Sequence, residues 1–426
     1  MTPQANFMVA APIAAGREAD LRALLATMNE SPGVAAPWNE LVPFGRLENL
    51  HVARFVILRD ETLGDIAAFG GSFRDLPTYL VFLGDCDGSA EALLLVAANV
   101  AGPGLRRIFA HCSGFADETD LAAWMRRHLV GPSAAYVNWV GRTVVQVREE
   151  QRLHAALLSA LNSVAPATSA VAAWRSLKDS PNLESVTLSP PQPTPIAWLV
   201  GHWIRLAASV FALIVLAPLL LIYLPFFLII LRWREGAEPD VAQPADEAKR
   251  SAIAAYEDRD VTNSFTAIGS LKPGLFRLTL AIFALWTLDL TSRFLYVRGR
   301  LARVGTIHFA RWVFLDGHRR LLFASNYDGG LDAYMDDFIN KAGFGLNAVF
   351  GNGIGYPRTS WLLWDGASNE EAFKAFLKRH QNLTDVWYRA YPGLTTFDLA
   401  RNSRIRAGYE RETMCEAEAA RWLALI

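Results

Sequence analysis

The chain is short of charge and of cysteine. Only 19% of its 426 residues are Asp, Glu, Lys or Arg, and 41 basic side chains balance 42 acidic ones. No global field recruits a polyanion, which excludes nucleic-acid binding as a first reading. The three cysteines, Cys86, Cys112 and Cys415, are scattered without CxxC spacing. That argues against a disulfide framework or a zinc site and predicts free thiols in a reducing compartment. The strings GxxxxGK[ST], HExxH, GxSxG and a helix-opening GxGxxG are also missing, so NTPase, zincin, hydrolase and dinucleotide chemistry lack support. The opening MTPQANFMVAAPIAAGREAD has no basic n-region and no secretory cleavage pattern, so the N-terminus is expected to stay cytoplasmic.

What the chain has in abundance is apolar surface, at 52% of residues. From Leu206 to Leu231 there is no charge at all, and this run is long enough for a hydrocarbon core of about 30 Å. Trp198, Trp203, Tyr223 and Trp233 supply interfacial rings, while Arg205, Arg232 and Arg234 bracket the run with positive charge at both ends. The flanks therefore set no orientation. Pro218 and Pro225 each remove an amide donor, which leaves open a kinked span or a re-entrant hairpin. A second apolar stretch, Phe276 to Val297, carries Arg277, Asp289 and Arg293, so it suits the membrane interface better than a lone crossing. Asp289 and Arg293 stand one helical turn apart and can pair.

Self-similarity organises the rest. His51-Val52-Ala53-Arg54-Phe55 reads against His308-Phe309-Ala310-Arg311-Trp312. Leu80-Val81-Phe82 with Asp87-Gly88 reads against Leu321-Leu322-Phe323 with Asp328-Gly329, and Arg127-His128 with Gly141 reads against Arg379-His380 with Gly393. Each copy follows strand, helix, strand, strand, helix, strand. In the first, 6–12 is a strand, Leu21, Leu24, Leu25 and Met28 form a helical stripe, and 51–58 pairs with 79–83. Asp87 is expected to cap a helix reaching Val100, and 137–147 to return as the closing strand. In the second, 264–268 opens the unit and the apolar 276–297 segment is its first helix. This is the βαββαβ pattern. The expected division is a ferredoxin-like repeat over 1–160, a Ser/Pro-rich linker over 161–195, a membrane-inserted helix or hairpin over 196–234, and a polar connector over 235–261. A second repeat over 262–410 and a C-terminal helix over 411–426 complete it. Two copies packed on each other must share one aqueous space, which favours an in-plane, re-entrant or twice-crossing middle over a single crossing.

Two such units in tandem resemble the dimeric α+β barrel superfamily, which includes dye-decolorizing peroxidases, chlorite dismutases and small monooxygenases. The resemblance implies an α+β fold in which two ferredoxin-like repeats form a pseudo-dimeric barrel around a cavity, with membrane-inserted helices between and within them. It also implies a haem or an apolar, lipid-derived ligand in that cavity. Gly84-Asp85-Cys86-Asp87-Gly88 matches the GxxDG string of dye-decolorizing peroxidases, which would give Asp87 a role in peroxide cleavage. The residues that follow, Ser89-Ala90-Glu91, depart from that family, and the second copy has Ser325 in place of the first glycine.

The residues themselves offer further candidates. Period-two alternation puts His51 with Phe55 and His308 with Trp312 on one strand face, and Arg54 and Arg311 on the other. The histidines would be cofactor ligands or bases and the arginines anion clamps, against a bland reading of satisfied structural groups. His111, replaced by Asn352 in the second copy, is a candidate axial ligand, although a histidine ending a helix also suits the macrodipole. Asp328, Asp332 and Asp336 recur on one helical face and read as a solvated acidic edge. These readings give a membrane-associated protein on the cytoplasmic side of an inner membrane, binding and oxidising an apolar ligand as a haem-dependent, peroxidase-like oxidoreductase. Its partners would be membrane lipid and an apolar small molecule, with no nucleic acid and with homo-oligomerisation left open. The rival is a non-enzymatic membrane-anchored scaffold whose barrel is filled by side chains such as Phe82, Phe323 and Trp312.

Overall fold

The repeated landmarks fall on strands of two separate sheets. In the computed structural model, which describes residues 1–71, 76–161, 169–239, 247–256, 258, 260–297, 299 and 301–426, the first half begins with β1 (Gln4–Pro12), α1 (Glu18–Ala26) and the short strands β2 (Asn29–Ser31) and β3 (Val34–Ala35). It continues through β4 (Leu50–Leu58), β5 (Tyr79–Asp87), α2 (Ala90–Val100), α3 (Gly102–Phe109), α4 (Leu121–Arg127), β6 (Ala134–Val137), α5 (Val144–Leu161) and α6 (Ala170–Lys178). α7 (Ile196–Ala237) and α8 (Glu247–Ala254) lead to β7 (Thr262–Ser270), α9 (Leu275–Phe294), β8 (Ile307–Leu315), β9 (Arg320–Asp328) and α10 (Leu331–Phe350). The hairpin of β10 (Thr359–Ser360) and β11 (Trp364–Asp365), then α11 (Glu370–His380), β12 (Thr384–Arg389), α12 (Thr396–Tyr409) and α13 (Glu416–Leu423), end the chain. Parts of the expected linker (162–168) and connector (240–246, 257 and 259) lie outside the described residues.

The fold is mixed α+β. One sheet has the order β1-β5-β4-β12-β3-β2 and the other β6-β8-β9-β7. The halves exchange strands: β12 runs antiparallel to β4, with Trp387 opposite Arg54, and β6 runs antiparallel to β8, with Tyr136 opposite Ala310. On its outer face the first sheet buries Phe7, Phe55 and Phe82 beneath α1 to α4. The second buries Phe265, Trp312 and Phe323 beneath α9, α10 and α11. Met8, Val56, Leu83, Ile268, Val313 and Leu322 meet between the sheets. Phe82, Phe323 and Trp312 thus fill the helix-covered faces and not the space between the sheets, as period-two alternation from Leu83 and Val313 requires. α5, α6, α12 and α13 form a separate lobe around Leu157, Trp174 and Trp422.

Several local expectations are corrected. The closing strand expected over 137–147 is instead the short β6 followed by α5. Gly141 at φ 88° ends the extended run, and Thr143 and Gln146 cap the new helix reciprocally at 3.0 and 3.2 Å, a Thr-x-x-Gln capping box. α2 is capped by Ser89 and not by Asp87, and Asp328 ends β9 while α10 starts from Gly330, so Asp328 is not on the helical face of Asp332 and Asp336. α7 is one continuous helix through Pro218 and Pro225, so no hairpin forms there. A proline deletes one hydrogen bond, whereas reversal would expose many backbone groups in an apolar stretch.

Candidate functional site

The strands place two arginines and two histidines in matching positions. Arg54 projects from β4 across to the opposite sheet. Its Nη1 donates to the Phe265 carbonyl (2.8 Å) and Thr266 Oγ1 (2.9 Å), and its Nη2 donates to the Ser325 carbonyl (2.9 Å) and to Asn326 Oδ1. Arg311 projects the other way from β8, donating to the Phe7 carbonyl (2.8 Å), the Gly84 carbonyl (3.0 Å) and Asp85 Oδ2. Asp85 and Asn326 occupy equivalent places on β5 and β9. Arg311 therefore has a counter-charge, and Arg54 has an amide. Arg54 also lies 5.0 Å over the Trp387 ring. Burial, then the like charge of Arg311, pushes the Arg54 guanidinium down to about 9, still protonated near neutrality.

The histidines depart from simple alternation. The register slips between Leu50 and Val52 and again between Ile307 and Phe309, so His51 and His308 are each the extra residue of a β-bulge. Each turns to a carboxylate at the end of its sheet. His51 Nε2 meets Asp87 Oδ1 at 3.0 Å and its Nδ1 meets the Tyr391 hydroxyl at 3.0 Å. Asp87 Oδ2 accepts the Val144 amide at 2.9 Å, at the start of α5. In the other half His308 Nε2 meets Asp328 Oδ1 at 2.6 Å, and Asp328 Oδ2 accepts the Thr396 amide and hydroxyl, each at 2.7 Å, at the start of α12. Both Asp residues thus satisfy helix N-termini, where the macrodipole favours an anion. Burial, then the charge of Asp87, pushes the Tyr391 phenol up, so it remains a donor.

His111 sits half-buried on the helix layer outside the first sheet, its Nδ1 donating to the Arg107 and Ile108 carbonyls (3.1 and 3.3 Å) that end α3. Asn352 donates likewise to the Ala348 and Val349 carbonyls (3.0 and 3.5 Å) at the end of α10. His111 and Asn352 thus do the same job, each bonding the last carbonyls of its helix. The acidic edge of α10 is paired: Asp332 with Lys378 (3.1 Å) and Asp336 with Lys374 (2.5 Å). Cys86 and Cys112 are buried free thiols and Cys415 an exposed one.

These residues do not fit a haem. The space between the sheets is closed by aliphatic side chains and by the two arginines bonded across it. Both nitrogens of His51 are engaged, His308 turns its Nε2 to Asp328, and His111 lies on the helix layer outside the first sheet, away from that space. A smaller apolar pocket of roughly 30 Å³, room for one or two waters, lies beneath α11 between Ala267, Leu321, Phe350 and His380. His380 Nδ1 donates to the Phe376 carbonyl at 2.7 Å, while its buried Nε2 has no hydrogen-bond partner among the described residues.

The sequence reading passed over Asp85, in the same glycine-flanked string as Asp87, and over the acids that bind the apolar helix to the body. Glu235, on the last turns of α7, accepts from Thr359 Oγ1 (2.9 Å) and the amides of Trp361 (2.9 Å) and Leu362 (2.8 Å). Glu238 receives Arg277 (2.6 Å) and Lys272 (3.1 Å). Burial works against the Glu238 charge, but the hydrogen bond from Arg277 and the charge of Lys272 outweigh it and hold the carboxyl below its ordinary range. A carboxylate just past a long uncharged run was the available signal for both. No family model, curated protein or solved structure matches this chain.

Proposed function

We propose that this protein is a membrane-attached interaction protein. Its body comprises two ferredoxin-like units of the dimeric α+β barrel kind, carried on the cytoplasmic side of an inner membrane. The observation that carries the reading is the closed space between the sheets, with Arg54 and Arg311 each bonded to the opposite sheet. In this architecture that space is where a cofactor or apolar substrate would sit. Matching strand orders and the matched Arg, His and Asp sets support the duplication. α7, whose most apolar window is wholly unburied, and α9 are long and apolar enough to meet lipid. On this reading Arg54 and Arg311 join the sheets, and Asp87 with His51 and Asp328 with His308 position helices.

The test is spectroscopic and biochemical. Purified protein titrated with haem is expected to give no Soret band, and the expressed chain is expected to remain with membranes through high-salt washing. A stoichiometric Soret band lost in His111→Ala or His51→Ala would sink the non-catalytic reading. Recovery in the soluble fraction would sink membrane attachment. The pocket beside His380 favours a second reading, a body that also takes up a small apolar molecule. Bound lipid or another ligand in native mass spectra, displaced by Gly269→Ala, would establish it, because a Cβ at Gly269 would lie 2.4 Å from the His380 ring.

A further inference from the structure

A helix that crosses a bilayer delivers its two ends to opposite sides, and the strand order forbids that here. β6 precedes α7, β7 lies between α7 and α9, and β8 follows α9, yet all three belong to one sheet. Both approaches to α7 are bound to the same body. Before it, the Ser189 amide donates to Glu149 (2.8 Å) and the Ser189 carbonyl accepts from Arg406 (2.6 Å). At its C-terminal end stand the bonds of Glu235, in the last turn, and of Glu238, just past it. α7 runs antiparallel to α9 and touches it near both ends, through Arg205 and Asp289 (3.4 Å) and through the stacked rings of Phe227 and Phe276 (5.5 Å). α9 in turn buries Ala281 and Leu285 against the second sheet. At 1.5 Å per residue the 42 residues of α7 extend about 63 Å, twice the hydrocarbon thickness of about 30 Å.

The C-terminal end of α7 carries a second lipid-suited feature. The turn between β10 and β11 holds Trp361 (φ 55°) and Leu362 (φ 62°) in the left-handed region, an unfavourable conformation for such side chains that Glu235 fixes by accepting both amides. The result turns Trp361, Leu363 and Trp364 outward next to exposed Phe344, while Arg232 lies 5.9 Å over the Trp361 ring. Tryptophans with a neighbouring arginine at one end of an apolar helix have the chemistry of the headgroup region.

Building on the membrane attachment proposed above, we infer that α7 lies in the plane of the membrane, sunk into one leaflet, and that the β10–β11 hairpin docks beside it at headgroup level. The partner is a lipid surface. The full chain, carrying Cys415→Ser, is bound to preformed vesicles of phosphatidylglycerol and phosphatidylethanolamine and separated by flotation. Ser185→Cys, before α7, and Ser251→Cys, after it, are each treated with a membrane-impermeant maleimide. Both are expected to react fully from outside. Protection of either one until the vesicles are permeabilised overturns the in-plane placement. A polarity-sensitive fluorophore on Leu363→Cys is expected to be quenched by spin labels near the headgroup and not by labels at the acyl terminus, and Trp361→Ala with Trp364→Ala to weaken flotation severalfold. An unquenched label overturns the hairpin's role. Absence of flotation in the unsubstituted protein is a different result, because it removes membrane attachment itself.

Discussion

The two halves of the body use one frame with unequal chemistry. Arg311 reaches an aspartate across the sheets, whereas Arg54, in the matching place, reaches Asn326. The helix that follows the opening strand is the nine-residue α1 in one half and the twenty-residue α9 in the other. Common to both halves are the hydrogen bonds from each arginine to main-chain carbonyls, which any sequence provides, while charge and apolar length differ. Arg54 and Arg311 bind Phe265 and Ser325, or Phe7 and Gly84, through those carbonyls. The divergence leaves the long apolar helix after the opening strand in one half only.

The sharpest way to break this comparison is to replace each arginine by a long apolar residue. Arg311→Met leaves the buried Asp85 charge without its cation, with only the Asn6 amide still donating to it, and is expected to cost about 3–5 kcal/mol. Arg54→Met removes a buried charge that has no carboxylate and is expected to cost about 1–2 kcal/mol for the acceptors left unpaired. Urea midpoints compare them, and equal losses would mean that Asp85 does not distinguish the halves. The exchanged strands offer the next contrast, because β12 carries Asp385 beside β4. Burial, opposed by Arg22, pushes the Asp385 carboxyl up to about 6. A raised carboxyl pKa favours the folded state while the group is protonated, so this stability is present below about pH 4 and lost as pH rises through 6. The loss is roughly 3 kcal/mol for a shift of this size. Asp385→Asn is expected to flatten that portion of a stability-versus-pH curve; an unchanged curve would place the titration elsewhere. Asn326→Asp gives Arg54 the counter-charge that Arg311 already has and is expected to add about 1 kcal/mol, read as a raised melting temperature. A lower melting temperature would mean that the site cannot accommodate a second carboxylate. The smallest effect concerns the helix caps: Asp87→Asn and Asp328→Asn are each expected to cost about 1 kcal/mol in thermal melts, and a large gap between them would mark the exchanged side as more than a cap.

The landmarks were legible because they are local. His51 to Phe55 and His308 to Trp312 lie on nine-residue strands, and Leu21 with Leu25 faces the first core as its spacing requires. The segment 137–147 was misleading because Val137, Val140, Val144 and Val145 suit a strand, while the opposing signals, Gly141 and the Thr143–Gln146 box, occupy single positions. The exchange of β6 and β12 left no local trace, since a strand's pattern records which face is buried and not which neighbour it pairs with. The roles expected of Arg54 and His51 had the same limit. Their residue types suit binding or catalysis equally well, and only the far partners, Phe265 and Tyr391, reveal what they touch.

Strand exchange also governs the order of synthesis. The free edge of β4 cannot be covered until Thr384 to Arg389 has left the ribosome, nearly 150 residues after the end of α7. The apolar helix is therefore complete while the first sheet is still open, and the body closes only after α7 has been made.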